Sequence, residues 1–315
     1  MIHNSFEELR TRMTQIDPSP GGFTIAGRTY EIGALNQVLY KKWYATKSGF
    51  QEQESLSDPS PLYEQERQAF TGLLTACNQS EEKKHTGWTV RECLPAGQVL
   101  VTSKGTTKTL NIGQYEFPEA GRLAPGHVIE YKNRKENRHI QQGFYYVFST
   151  AAFEYIPTVV RYYWNIDASA VGTLIGIITQ KLNRYGLPFL FKCADHPALY
   201  YRRDCCVLYI NKQYTHLLHQ LLEEINQVIP KTPHTDVPLF TCRVSDGVGY
   251  AESPLIADSF GIDRIRMVSA ALIGAFDRHL DSADERMEAV YHQFRLNHID
   301  LEKPYLNPNP YRNKQ

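Results

Sequence analysis

Long apolar runs and any excess of charge are both missing from this 315-residue chain. Nothing in it approaches the ~18 consecutive apolar residues that a membrane span needs. The longest candidates, "LIGII" and "AALIGAF", suit core helices. The opening "MIHNSFEELRTRM" has no basic stretch followed by an apolar one, so no secretory signal is expected. Thirty-four basic and 34 acidic side chains cancel, which argues against non-specific binding to nucleic acid or to an anionic membrane. Cys77, Cys93, Cys193, Cys205, Cys206 and Cys242 lack the rhythm of a disulfide scaffold, and that suits a reducing cytoplasm. No GxSxG, Walker loop, dinucleotide fingerprint or HExxH occurs. Cys193 and His196 have no second ligand pair at a zinc spacing, so neither a metal nor an organic cofactor is expected.

What is present is a globular composition. Hydrophobic residues make up 42% and aromatics 12%, enough for a sizeable core. Twenty tyrosines outnumber 14 phenylalanines, so much of the aromatic surface carries a polar handle.

The texture changes along the chain. Residues 1–60 open with helical patterning: Phe6, Leu9 and Met13, then Leu35, Val38, Leu39 and Trp43 within "ALNQVLYKKWYATK". The polar "GFQEQESLSDPSP" reads as a mobile loop before a further helix, "LYEQERQAFTGLLTACN". From Trp88 to about Thr150, "WTVRECLP", "GQVLVTSKG", "TKTLNIGQYEF", "GHVIEYKN" and "GFYYVFS" form short β-rich runs, a meander or small barrel. After Pro157 the order is strand 158–166, helix 167–185, strand "LPFLFKCA", strand 204–210, helix "QYTHLLHQLLEEINQVI" and strand 237–244. Asp167 or Ser169 is available to cap the first of these helices, and Gly186 to stop it. This β-α-β-β-α-β order predicts a split βαβ sheet with helices on one face. Helices near 262–280 and 283–296 follow. The expected fold is α+β, with a helical and meander region over 1–150 and an α+β domain over 151–315.

Several residues could carry chemistry. On strand 158–166 one face is apolar, while the other shows Val159, Arg161, Tyr163 and Asn165. That second face is either solvated or a donor ladder for an anion. Lys192 ends a greasy strand; it either snorkels to water or is a desolvated base. Arg202 and Arg203 precede the third strand, and guanidinium forks are favoured phosphate ligands. Asp204 can pair with one of them. Arg243 ends the fourth strand. Arg264 and Arg266 lie about 200° apart on a helix, so they are not expected to share a site, and Arg264 is preferred. "SDGVGYAESP" reads as a mobile glycine-rich rim. Cys205 and Cys206 read as small hydrophobes, and His216 and His219 as surface histidines.

Taken together, "RYYWNI", "LNRYGLPFLFKCADHPALYYRRDCCVLYI", "VPLFTCRVSDGVGYAESP" and "SFGIDRIR" resemble the HopA-type effector family over about residues 140–280. That family takes its name from a plant-pathogen type III effector. Members also occur in bacterial gene clusters for lanthipeptides and thioamide-containing peptides, beside an aminoglycoside-phosphotransferase-like kinase. The resemblance implies a phosphoserine/phosphothreonine lyase that eliminates phosphate from a phosphorylated precursor peptide to leave a dehydroamino acid. A more distant similarity, to secreted phosphothreonine lyases, implies Lys192 as the base. Arg161 and Tyr163 fall where those enzymes carry a Lys-x-His, so the acid is Tyr163 or His196. Arg202 or Arg203 falls where a phosphate-binding Arg follows, and with Arg161, Arg243 and Arg264 these make up the candidate phosphate ligands. Alternatives from other classes are a non-catalytic phosphopeptide- or kinase-binding module and an effector-like interaction protein.

Overall fold

Apolar residues recurring at helical spacing, and short alternating runs cut by glycine, fold here into seven helices and fifteen strands among the described residues. The computed structural model describes residues 2–47, 60–95, 98–103, 105–110, 115–117, 121–153, 158–230, 234–255 and 259–308. Most of the polar segment between Lys47 and Ser60 lies outside them, and with it the loop expected there.

Helix α1 (Asn4–Arg12) leads into a three-stranded antiparallel sheet, β1 (Ile16–Ser19), β2 (Gly22–Ile25) and β3 (Arg28–Glu31). The helical reading of residues 1–60 passed over this sheet. Its strands are four residues each, too short for alternation to show, and the turn glycines Gly21 and Gly27 (φ 72° and 74°) are its clearest signal. Helix α2 (Leu35–Leu39) continues as a π-helical stretch, Tyr40–Ala45. Helix α3 spans Pro61–Cys77, begun by Ser60, whose side chain caps the Tyr63 N–H.

The meander is β4 (Lys83–Cys93), β5 (Val99–Ser103), β6 (Thr106–Leu110), β7 (Tyr115–Glu116) and β8 (Val128–Asn133), ordered β6-β5-β4-β8-β7. It closes over its own small core of Trp88, Val90, Val99, Val101, Leu110 and Ile129. The run "GFYYVFS" does not join it. That run forms β10 (Phe144–Phe148), which together with β9 (Glu136–Asn137) enters the main sheet. Tyr145 and Val147 there are fully buried against the main core, which decides the partner.

The main sheet has seven strands. Besides β9 and β10 it holds β11 (Val159–Trp164), β12 (Phe189–Ala194), β13 (Cys206–Asn211), β14 (Cys242–Ser245) and β15 (Val248–Glu252), ordered β14-β15-β11-β13-β12-β10-β9. Every neighbouring pair is antiparallel. Helix α4 (Val171–Arg184) connects β11 to β12 while β13 sits between them, which is the expected split βαβ. Leu174, Ile175, Ile178 and Leu182 of α4 are fully buried, and Gly186 at φ 63° ends the segment. Asp167 makes no capping bond; its carboxylate lies 3.5 Å from His234 and 3.8 Å from Lys47. The glycine-rich "SDGVGYAESP" is not a mobile rim but the β14–β15 turn and strand β15 itself. A Cβ at Gly249 would lie 2.6 Å from Thr241 Oγ1, so glycine is what lets β15 fit.

Helices cover both faces of this sheet, not one. On one side α4, α5 (Thr215–Val228) and Leu74 of α3 bury Val160, Trp164, Phe189, Phe191, Leu208 and Ile210. On the other, α1, α2, α6 (Phe260–Asp277) and α7 (Ala283–Leu296) bury Val159, Tyr163, Val207, Tyr209 and Ala251. The reason is the N-terminal segment, whose Phe6, Leu9, Leu39 and Trp43 join α6 and α7 in one core. At the closest approach a Cβ on Gly261 would lie 2.3 Å from the Tyr44 ring. No helix among the described residues is long and apolar enough to cross a membrane.

Candidate functional site

Strand alternation places Lys192 opposite Phe191 and Cys193, on the face toward α2 and α6. Register then sets its neighbours. Tyr163, Val207, Lys192 and Tyr146 are successive partners across β11, β13, β12 and β10. Arg161, Tyr209, Leu190 and Phe148 form the next row. Lys192 and Tyr163 therefore share a face but stand two strand spacings apart, about 10 Å.

The ammonium of Lys192 lies 4.3 Å from the Phe144 ring centroid and 6.0 Å from that of Tyr146. It donates to Gln141 Oε1 at 3.1 Å. The Tyr146 hydroxyl donates to the same oxygen at 2.8 Å. Gln141 belongs to the exposed turn between β9 and β10, so a surface loop holds both donors. Among the described residues Lys192 forms no ion pair. Burial, and then the nearby Tyr209, push the Tyr146 phenol up to about 12.

Near enough for the Lys192 charge to act on it lies a largely buried ion pair. Arg202 Nε and Nη2 donate to Asp204 Oδ1 and Oδ2 at 2.9 and 3.0 Å, and the Tyr40 hydroxyl donates to Oδ2 at 2.7 Å. Burial would raise the Asp204 carboxyl. Arg202 above all, with the Tyr40 hydrogen bond and the Lys192 charge, more than offsets it and holds the group below the ordinary aspartate value.

The other expected residues divide. Arg161 does share the face, but its Nε donates to Ser253 Oγ at 3.0 Å and its guanidinium lies over the Tyr209 ring. Tyr163 is 3% exposed, packed in the core that also holds Tyr44; burial pushes its hydroxyl up to about 12, despite the opposing charge of Arg161. Neither forms the open donor ladder that alternation suggested.

His196 is not in this group. Its ring stacks on Tyr63 of α3 at 3.7 Å, its Nδ1 accepts from the Ala198 N–H, and its Nε2 lies 3.4 Å from Glu66. It caps the turn after β12 and faces α3 rather than α6. Arg203 is wholly buried, donating to the carbonyls of Trp43, Thr46 and Val237. It fastens the N-terminal segment to the sheet. Arg264 donates to the carbonyls of Pro304 and Leu306 and pairs with Asp263, which commits its fork to the C-terminal segment. Arg264 and Arg266 nevertheless border one cavity of about 390 Å³, Arg264 from the core side and the exposed Arg266 from outside. Arg243 is half exposed and pairs with Asp246; β14 stands four strand spacings from β12, about 19 Å. The five candidate phosphate ligands are therefore not gathered around Lys192.

Sequence reasoning missed Gln141, Phe144 and Tyr146. Alternation in "GFYYVFS" separates Tyr145 from Tyr146, but only the β10–β12 pairing brings the latter to Lys192. His219 also differs from a plain surface histidine: its Nε2 lies 2.8 Å from the Tyr162 hydroxyl.

Comparison with known proteins bears on the fold and the family. No curated protein matches the chain in sequence. The solved structure of an effector protein from Pseudomonas syringae pv. tomato strain DC3000 is similar at a TM-score of 0.52 and 15% identity, covering 97% of each chain. A second effector structure, from Pseudomonas syringae pv. syringae strain 61, is similar at a TM-score of 0.51 and 16% identity, covering 97% of this chain and 98% of the other. At such identities the likeness is one of fold. A family model for the HopA1 effector protein family matches residues 135–306, from the start of β9 past the end of α7. Over half of its length therefore carries that signature, and the chain belongs to the HopA1 effector protein family.

Proposed function

We propose that this protein is a phosphoserine/phosphothreonine lyase acting on a phosphorylated peptide, with Lys192 as the base. The observation that carries this reading is the setting of Lys192: a partly exposed amine on an aromatic-lined sheet face, bonded to a surface-loop amide. β-Elimination needs a base at the Cα proton, a proton donor for the departing oxygen and positive charge near the phosphate. The amine takes the Cα proton, the Cα=Cβ bond forms and the Cβ–O bond breaks. Arg202, with 19% of its side chain exposed, receives the phosphate in this reading by exchanging Asp204 for phosphoryl oxygens. A substrate of this kind calls for a kinase acting first, and a kinase partner of the aminoglycoside-phosphotransferase type belongs to the same proposal.

A second reading is favoured by one observation: neither Tyr163, buried in the core, nor His196, stacked on Tyr63, stands beside Lys192 as an acid. That reading makes the protein a non-catalytic module that holds a phosphopeptide. Mass spectrometry of a phosphothreonine peptide incubated with the pure protein separates the two. Loss of phosphoric acid, absent with Lys192→Ala, is the expected result. Binding without turnover in both proteins would replace the lyase with the module, and conversion to plain threonine would make the protein a phosphatase.

A further inference from the structure

Elimination leaves a phosphate oxygen that must gain a proton, and the two acids suggested by the sequence are badly placed. Tyr163 is packed in the core between the sheet and α6, and His196 caps a turn against α3. A different hydroxyl is in position. Tyr146 is the register partner of Lys192 on the adjacent strand. Its hydroxyl and the Lys192 amine both lie within hydrogen-bond distance of one atom, Gln141 Oε1. That oxygen marks a point at which an acceptor is reached by both groups at once. The leaving oxygen of a bound phosphopeptide is an acceptor of the same kind.

We infer that Tyr146 is the proton donor of the elimination, and that Gln141 is a positioning residue holding Tyr146 and Lys192 ready until substrate takes its place. The inference rests on the lyase reading given above. The Cα proton passes to the Lys192 amine, the C–H electron pair forms the Cα=Cβ bond, and the Cβ–O pair leaves with the phosphate oxygen. That oxygen takes the proton of the Tyr146 hydroxyl, and hydrogen phosphate departs. The ammonium on Lys192 and the phenolate on Tyr146 then return to their starting forms through solvent. Lys192, whose amine shares Gln141 Oε1 with the Tyr146 hydroxyl, stabilises the phenolate while it lasts. The phenol, raised to about 12, stays protonated across the neutral range, as a donor to a strongly basic phosphate oxygen must.

The test compares wild type, Tyr146→Phe, Gln141→Ala and Lys192→Ala on two peptides of the same sequence. One carries phosphoserine and the other O-sulfoserine, whose leaving sulfate needs no proton. Tyr146→Phe removes one oxygen and preserves the ring that packs beside Lys192. On the phosphopeptide it is expected to lower kcat about 10²–10⁴-fold, with little change in KM. On the sulfopeptide the loss should shrink to a few-fold, whereas a structural role would cost both substrates alike. Gln141→Ala lies on an exposed turn and should lower kcat on the phosphopeptide by a smaller factor while leaving thermal stability unchanged. Lys192→Ala should abolish both reactions. Equal losses on the two peptides, or full kcat with Tyr146→Phe beside an inactive Lys192→Ala, would overturn the assignment and leave the lyase standing. A wild type that eliminates neither group overturns the lyase reading and this inference with it.

Discussion

The two faces of the seven-stranded sheet both bury apolar cores, but they differ in the charge they carry. Toward α4 and α5 the strands present Val160, Phe189, Phe191, Leu208 and Ile210, all fully buried and apolar. Toward α2 and α6 the same strands present Arg161, Tyr163, Lys192 and Tyr209, and Arg202 and Asp204 lie alongside. Apolar contact holds the first face together. The second shares an apolar core with the N-terminal segment, α6 and α7, and adds donors aimed at carbonyls, carboxylates and rings, because a buried polar group is costly unless it is bonded. One face can therefore be changed for stability and the other for chemistry, even at adjacent residues.

Phe191 and Lys192 make the sharpest contrast. Phe191→Ala opens a cavity in the apolar face and should destabilise the fold by about 3–5 kcal/mol, read by denaturant titration. Lys192→Ala should change stability by no more than about 1 kcal/mol while abolishing elimination. If both variants lost stability equally, the division between the faces would fall. Asp204→Asn breaks the polar face from within. It strands the Arg202 charge and should cost about 3–5 kcal/mol at neutral pH. Because the folded-state Asp204 carboxyl lies below its unfolded value, its contribution is complete above about pH 4 and lost as the pH falls through the folded value. The gap between wild type and Asp204→Asn should thus close on acidification below about pH 4, measured by melting at a series of pH values. Gly261→Ala tests how tightly the N-terminal segment presses on α6. Tyr44 is wholly buried and has little room to yield, so a loss of about 1–3 kcal/mol is expected. Ser282→Ala is the mildest change. Ser282 and Glu285 form a capping box at the start of α7, away from both faces, and its loss should cost about 1 kcal/mol with activity unchanged.

These contrasts also explain what could be read from the sequence. The stripe of Leu174, Ile175, Ile178 and Leu182, and the alternation in 158–166, are local signals. They were enough to place α4, β11 and the split βαβ order. The pairing of β10 with β12 was not legible, because nothing local distinguishes a strand of a meander from a strand that leaves it. The same limit applies to the arginines. Arg203 and Arg264 sit in the right part of the sequence for phosphate ligands, yet their forks are taken by carbonyls more than 30 residues away. Lys192 was legible because its oddity is local, a charge at the end of "LPFLF". Its partners Gln141 and Tyr146 were not, since they reach it only through the sheet.

The contacts that tie α1 and the residues after it to α7 bear on how the chain is made. Phe6, near the start, packs edge-on against Phe240, Tyr291 and Phe294, and Arg286 of α7 donates to the carbonyls of Met13 and Ile16. Synthesis runs at roughly 5–20 residues per second, so α1 leaves the ribosome on the order of tens of seconds before α7 exists to receive it. During that interval Phe6, Leu9 and Met13 have none of their α7 partners. Among the described helices, α7, translated last, is therefore the one that completes α1.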